Sequence, residues 1–192
     1  MPNVFIFHGA YGGPNENWFP WLREELESIG CKVFTPTFPT PKEQTLDNWF
    51  KVFKKFEQYL DQDTVLIGHS LGATFILNLL EKTDKKVKAA FLVAGFVTKV
   101  VDPKDEVNTI NTTFCKKKFD WKKIRASCNE FFVIGSDNDP YVTPEIAEKV
   151  SKPLGVRLVI IEGAGHFNKR AGYTKFPQLL DMVGDVLASS GG

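Results

Sequence analysis

Cysteine is scarce in this chain: Cys31, Cys115 and Cys128 are odd in number, far apart, and include no C-x-x-C pair. That usage excludes a disulfide framework and a cysteine-based zinc site, and it is what a reducing compartment favours. Net charge is nearly absent, +1 over 192 residues, so no overall field draws the chain to nucleic acid or to a membrane surface. On that neutral background Lys116-Lys117-Lys118 and the lysines between Lys82 and Lys88 read as solvated faces. No uninterrupted apolar run approaches the ~20 residues of a membrane span. Nor does a basic stretch followed by an apolar one open the sequence. A cytoplasmic protein without nucleic-acid or membrane partners is therefore expected. Neither G-x-x-x-x-G-K-[ST] nor G-x-G-x-x-G stands between a strand and a helix, which removes support for nucleotide binding. Histidine is limited to His8, His69 and His166 in separate segments, which makes no metal site. Repeats and linkers are missing too, and 192 residues suit a single domain over 1–192 with one sizeable core.

What is present is an alternation of short β-rich runs with amphipathic helical segments. Val4–Phe7, Lys32–Thr35, Thr64–Ile67, Lys88–Ala94, Phe131–Ile134 and Arg157–Ile161 make about six strands. Helical faces are marked by Trp18, Leu22, Leu26 and Ile29, stopped by Gly30, and by Leu46, Trp49, Phe50, Phe53 and Leu60. A further stripe of Phe176, Leu179, Leu180, Val183 and Leu187 ends the chain. This order predicts an α/β fold, a mostly parallel sheet with helices on both faces. The longest irregular stretch, Thr98 to Cys128, is too short for a separate domain; it suits a minimal lid or a plain excursion with a short helix near Trp121, and a partial pocket wall is expected over an independent lid.

Gly68-His69-Ser70-Leu71-Gly72 directly follows an apolar strand and precedes the apolar helix bearing Phe75, Ile76, Leu79 and Leu80. G-x-S-x-G in that context predicts a nucleophile elbow, a sharp strand-to-helix turn that lifts the Ser70 hydroxyl clear of the sheet. Such a hydroxyl needs a base, and the base needs an orienting acid. His69 is a weak candidate because consecutive side chains diverge at the turn, and His8 suits a structural or positioning role. His166, in Gly163-Ala164-Gly165-His166-Phe167, sits on a glycine-rich loop after the last strand and can reach over the elbow. The acid comes from Asp137-Asn138-Asp139-Pro140. Pro140 restricts Asp139 to extended angles suited to a buried acceptor, whereas Asp137 suits a turn stabilised through its own backbone. Ser, Asp, His is the chain order of α/β-hydrolases. The backbone N–H groups of Ala10 and Leu71 are the candidates for an oxyanion hole. Trp18, Phe96, Trp121, Tyr141 and Phe167 are candidate pocket aromatics.

Over essentially its whole length the sequence resembles small α/β-hydrolases of the retinoblastoma-binding-protein-nine type. The likeness rests on His8-Gly9, Asn17-Trp18-Phe19-Pro20-Trp21, Trp49, the elbow, Phe119-Asp120-Trp121, Ser136 to Tyr141 and Gly165-His166-Phe167. The resemblance implies a serine hydrolase of compact fold with Asp139 as the acid. It also implies a small-molecule acyl substrate (ester, thioester or amide) and no cofactor. The namesake's L-x-C-x-E motif is absent: Leu60 is followed by Asp61-Gln62-Asp63, and Ala126-Ser127-Cys128-Asn129-Glu130 lacks the leucine. That partner is not expected here, and no other protein partner is indicated. The competing expectation is a catalytically silent protein of the same fold that offers its pocket to a binding partner.

Overall fold

The computed structural model describes residues 1–115 and 118–189, so Lys116 and Lys117 of the lysine run lie outside the described residues. Six strands form one sheet in the order β2-β1-β3-β4-β5-β6, with every neighbouring pair parallel. They are β1 (Asn3–Phe7), β2 (Lys32–Phe34), β3 (Val65–His69), β4 (Val87–Val93), β5 (Cys128–Ser136) and β6 (Leu158–Ile161). The helices are α1 (Phe19–Ser28), α2 (Leu46–Phe53), α3 (Leu71–Lys82), α4 (Glu106–Ile110), α5 (Thr112–Cys115), α6 (Trp121–Ala126), α7 (Pro144–Leu154) and α8 (Pro177–Ala188). This is the α/β-hydrolase fold expected from the sequence, with a fully parallel sheet. The described residues between Thr98 and Cys128 include the short helices α4, α5 and α6. Among the described residues no helix is long and apolar enough to cross a membrane.

Strand alternation divides the core in two. Phe5, Phe7, Leu66, Ala90, Leu92 and Val133 face one apolar layer, formed with α2, α3, α6 and α7. Val4, Ile6, Val65, Ile67, Phe91 and Ile134 face the other, formed with α1 and α8. A strand covered on both faces needs apolar residues at nearly every position, which is why Val4–Phe7 of β1, Val65–Ile67 of β3 and Ala89–Val93 of β4 are unbroken hydrophobic runs.

Two helical expectations change. Ile29 is 61% exposed, because α1 stops at Ser28 and leaves it outside the apolar face. The stripe from Leu46 to Leu60 is not one helix: α2 ends at Phe53 and a 3₁₀ turn follows at Glu57–Tyr59. Phe53, Phe56 and Tyr59 recur every three residues and pack on the rings of Phe5 and Phe34. Three residues per turn is the 3₁₀ repeat, so the tighter winding keeps these rings on the sheet.

The topology also sets the place of a site. From β1 the chain steps to β2 on one side, then crosses back to β3 on the other. Open parallel sheets bind ligands beyond the strand C-termini at such a reversal, here beside Gly9-Ala10 and Ser70.

Candidate active site

Ser70 occupies the junction of β3 and α3 with φ +54° and ψ −120°, a conformation a non-glycine residue adopts only under strain. Its N–H donates to the Val93 carbonyl at 2.8 Å, which anchors the turn to β4. The hydroxyl makes no capping bond to α3 and so stays available. Close approach explains the flanking glycines. A Cβ on Gly68 would stand 2.6 Å from the Ala73 nitrogen, and one on Gly72 would stand 2.7 Å from the His8 carbonyl oxygen. Both obstacles are backbone and cannot swing aside.

Beyond β5, the Asp139 carboxylate is fully buried. Its Oδ1 accepts from the N–H groups of Tyr141 (2.8 Å) and Val142 (3.0 Å), and its Oδ2 lies 2.8 Å from His166 Nδ1. A carboxylate only accepts, so Nδ1 carries the hydrogen and the neutral ring keeps Nε2 as a free acceptor. Asp137 differs from its expected role. Its Oδ1 accepts from Gly163 N–H across the gap between loops at 2.7 Å, and Asn138 Oδ1 accepts likewise from Gly165 N–H at 2.7 Å. These two side chains staple the His166 loop to the Asp139 loop. Their signal in the sequence is an Asp-Asn pair after one strand facing a glycine-rich loop after the next.

Ser70 and His166 line one cleft of about 250 Å³. Ala10 and Tyr11 after β1, Phe96 after β4, Val100 and Val107 of the 98–128 segment, Tyr141, Val142 and Asn168 complete it, and among the described residues no lysine, arginine, aspartate or glutamate lines it. No hydrogen bond joins Ser70 Oγ to His166 Nε2 among the described residues; such contacts commonly tighten only when substrate binds. The Ser70 side chain rests on the β1 loop, since a Cβ on Gly9 would lie 3.0 Å from Ser70 Cβ and 3.5 Å from Oγ. The N–H groups of Ala10 and Leu71 have no hydrogen-bond partner among the described residues. His8 explains how the first is held. Its Nδ1–H donates to the Gly9 carbonyl (2.8 Å), while its Nε2 accepts from Phe38 N–H (3.0 Å). Gripping that carbonyl fixes the planar Gly9–Ala10 peptide and with it the direction of the Ala10 N–H. Burial pushes the His8 pKa down, which keeps the ring neutral for this double role.

Of the candidate pocket aromatics, Phe96 and Tyr141 line the cleft, and Trp18, Trp121 and Phe167 do not. Trp18 and Phe167 are fully buried and pack with Phe176 on the α1/α8 side of the sheet. Trp121 begins α6 and packs against Phe119. Aromatic residues near a motif in sequence do not reveal which side of the sheet they serve. The aliphatic walls Val100, Val107 and Val142 carried no distinguishing signal, although the first two come from the segment expected to wall the pocket.

Among the described residues no group of three or more His, Cys, Asp or Glu side chains is placed to hold a metal ion. Comparison with known proteins gives a consistent picture. Over 184 residues the chain is 28% identical to YdeN of Bacillus subtilis (strain 168), covering 94% of this chain and 93% of that protein. It is 27% identical over 185 residues to the serine hydrolase RBBP9 of Rattus norvegicus, covering 95% and 94%. The crystal structure of the B. subtilis ydeN gene product superposes with a TM-score of 0.90 at 26% identity, over 98% of this chain and 100% of that one. Est1E from Butyrivibrio proteoclasticus shares the fold, with a TM-score of 0.71 at 17% identity over 98% and 89% of the two chains. The serine hydrolase family model matches residues 4–185, and this chain belongs to that family.

Proposed function

We propose that the chain is a carboxylesterase-like serine hydrolase that cleaves small, uncharged acyl esters through an acyl-enzyme on Ser70. One observation carries the reading. The His166 imidazole, oriented by a buried Asp139 that two further N–H groups hold in place, opens into the cleft where the Ser70 hydroxyl stands.

In this reading His166 Nε2 takes the Ser70 proton as Oγ attacks the acyl carbonyl. Asp139 keeps the ring in the correct tautomer and stabilises the imidazolium. The Ala10 and Leu71 N–H groups receive the negative charge developing on the carbonyl oxygen, with Leu71 at the positive end of α3. His166 then protonates the leaving alcohol and activates a water for deacylation. No step calls for a cofactor. The apolar, uncharged cleft suits esters, and the same chemistry extends to thioesters or amides whose leaving groups fit.

The test is turnover of a short-chain ester, thioester and amide panel by wild type and Ser70→Ala. Ester hydrolysis abolished by the substitution is expected. A folded wild type inert towards the panel would favour a silent binding protein.

A further inference from the structure

We infer that His69 is a positioning residue for His166: with Trp18 it forms a two-point clamp on consecutive carbonyls of the loop that carries the proposed base. The inference rests on the reading of His166 as base. His69 Nε2 lies 2.8 Å from the His166 carbonyl oxygen, and Trp18 Nε1 lies 2.9 Å from that of Phe167. A carbonyl oxygen only accepts and an indole only donates, so both bonds run from the rings to the loop. This fixes His69 as the Nε2–H tautomer.

Both donors stand on firm ground. His69 is the last residue of β3 and is 4% exposed; Trp18 is the N-cap of α1 and is fully buried. Their rings contact each other edge-on at 6.2 Å. Within the clamped segment itself, Phe167 sits at φ +50°, a strained conformation for a bulky residue. Such a conformation persists only where surroundings over-determine it. The Trp18 bond and the stack of Phe167 on Phe176 supply that constraint.

The location gives the clamp its consequence. His69 directly precedes Ser70, so the same strand end places the nucleophile and grips the base loop 97 residues onward in the chain. Ser70 and His166 have no mutual hydrogen bond among the described residues to set their separation, and the His69 bond performs that task through the backbone. The staples from Asp137 and Asn138 hold the other flank of the same loop. Charge is compatible with the role. The His69 and His166 rings are 4.9 Å apart. Burial, reinforced by the neighbouring His166, lowers the His69 pKa to about 3. Proton uptake by His166 during turnover therefore meets a neutral neighbour.

The experiment compares wild type, His69→Gln, His69→Leu and Trp18→Phe in the full chain. It reads kcat and KM on a short ester, the melting temperature, and the low-field proton resonance of His166 Nδ1. Glutamine can still donate to the carbonyl, so His69→Gln should stay within ~5-fold of wild-type kcat. Folded His69→Leu should lose ~10²-fold in kcat, the scale of a small misplacement of a reacting group. Its KM should be little changed, and the Nδ1 resonance should be lost or shifted. Trp18→Phe keeps the aromatic packing and removes the second donor; a ~10-fold loss in kcat is expected even if His69→Leu does not fold. Wild-type kcat in a folded His69→Leu or in Trp18→Phe would overturn the clamp. So would equal losses in the Gln and Leu variants that follow melting temperature while the resonance stays put. A wild type that shows the Nδ1 resonance but neither turns over ester nor is labelled at Ser70 would sink the catalytic reading instead.

Discussion

Asp139→Asn tests the proposed proton path at the point where the structure constrains it most. Asparagine is nearly isosteric but brings one acceptor oxygen and one donor nitrogen. If the amide oxygen stays on the Tyr141 and Val142 N–H groups, the NH₂ faces His166 Nδ1. Nδ1 must then be bare and Nε2 protonated, which disables the base. The opposite orientation restores the tautomer but sets a donor against two backbone donors, one buried and one part-buried. Each orphaned N–H costs about 1–3 kcal/mol, so the productive orientation is disfavoured by ~2–6 kcal/mol. The expected loss in kcat is ~30- to 10⁴-fold, the upper end matching the known effect of a wrong histidine tautomer. Asp137→Asn is the control, because asparagine retains an oxygen for Gly163 N–H and should stay within ~5-fold. Initial rates with a short ester, beside circular dichroism, decide the matter. A folded Asp139→Asn with near-normal kcat, or a folded Asp137→Asn as inactive as predicted for Asp139→Asn, would refute the assignment.

Ser70→Gly should abolish turnover yet raise thermal stability, because glycine relieves the positive φ at a gain of ~1 kcal/mol; a lowered melting temperature would contradict the strain. Gly72→Ala should fail to fold or lose several kcal/mol (roughly 3 or more), since its Cβ meets rigid backbone of β1 and His8; denaturant titration of soluble protein measures this. Stability should fall with acidification below pH 6.5, the ordinary histidine value. There the unfolded chain takes up protons that buried His69 refuses until about pH 3, and buried His8 acts in the same direction. The slope is about 1.4 kcal/mol per pH unit for each such histidine, and denaturant midpoints of His69→Gln should show a shallower decline. Because the described part of the 98–128 segment forms short helices, the rate on a short ester should saturate smoothly through its solubility limit; a sharp rise there would reveal a mobile lid.

The sheet was legible because a parallel strand covered on both faces leaves runs such as Val4–Phe7 that little else produces. The elbow was legible because close backbone approach admits only glycine at Gly68 and Gly72. With those runs assigned to a parallel sheet, Ser70, Asp139 and His166 each follow the C-terminal end of a strand and so fall at the same end of the sheet. Patterns shared by two structures were less informative. Apolar spacing from Leu46 to Leu60 suits a helix, yet aromatics at every third residue draw its second half into a 3₁₀ turn. Trp18 and Phe167 flank motif residues but serve the opposite core layer, a matter of sheet side that composition does not encode. The work of His69, Asp137 and Asn138 depends on distances between loops far apart in the chain, which become visible only once the strands are adjacent.

The proposed function stands or falls with Ser70 as an activated nucleophile. Its most direct test is exposure of folded wild type and Ser70→Ala to a fluorophosphonate at neutral pH, with adducts mapped by peptide mass spectrometry. One stoichiometric adduct on Ser70 is expected in wild type and none in the variant. Folded wild type that remains unmodified, or is modified at another residue with Ser70 intact, would contradict it.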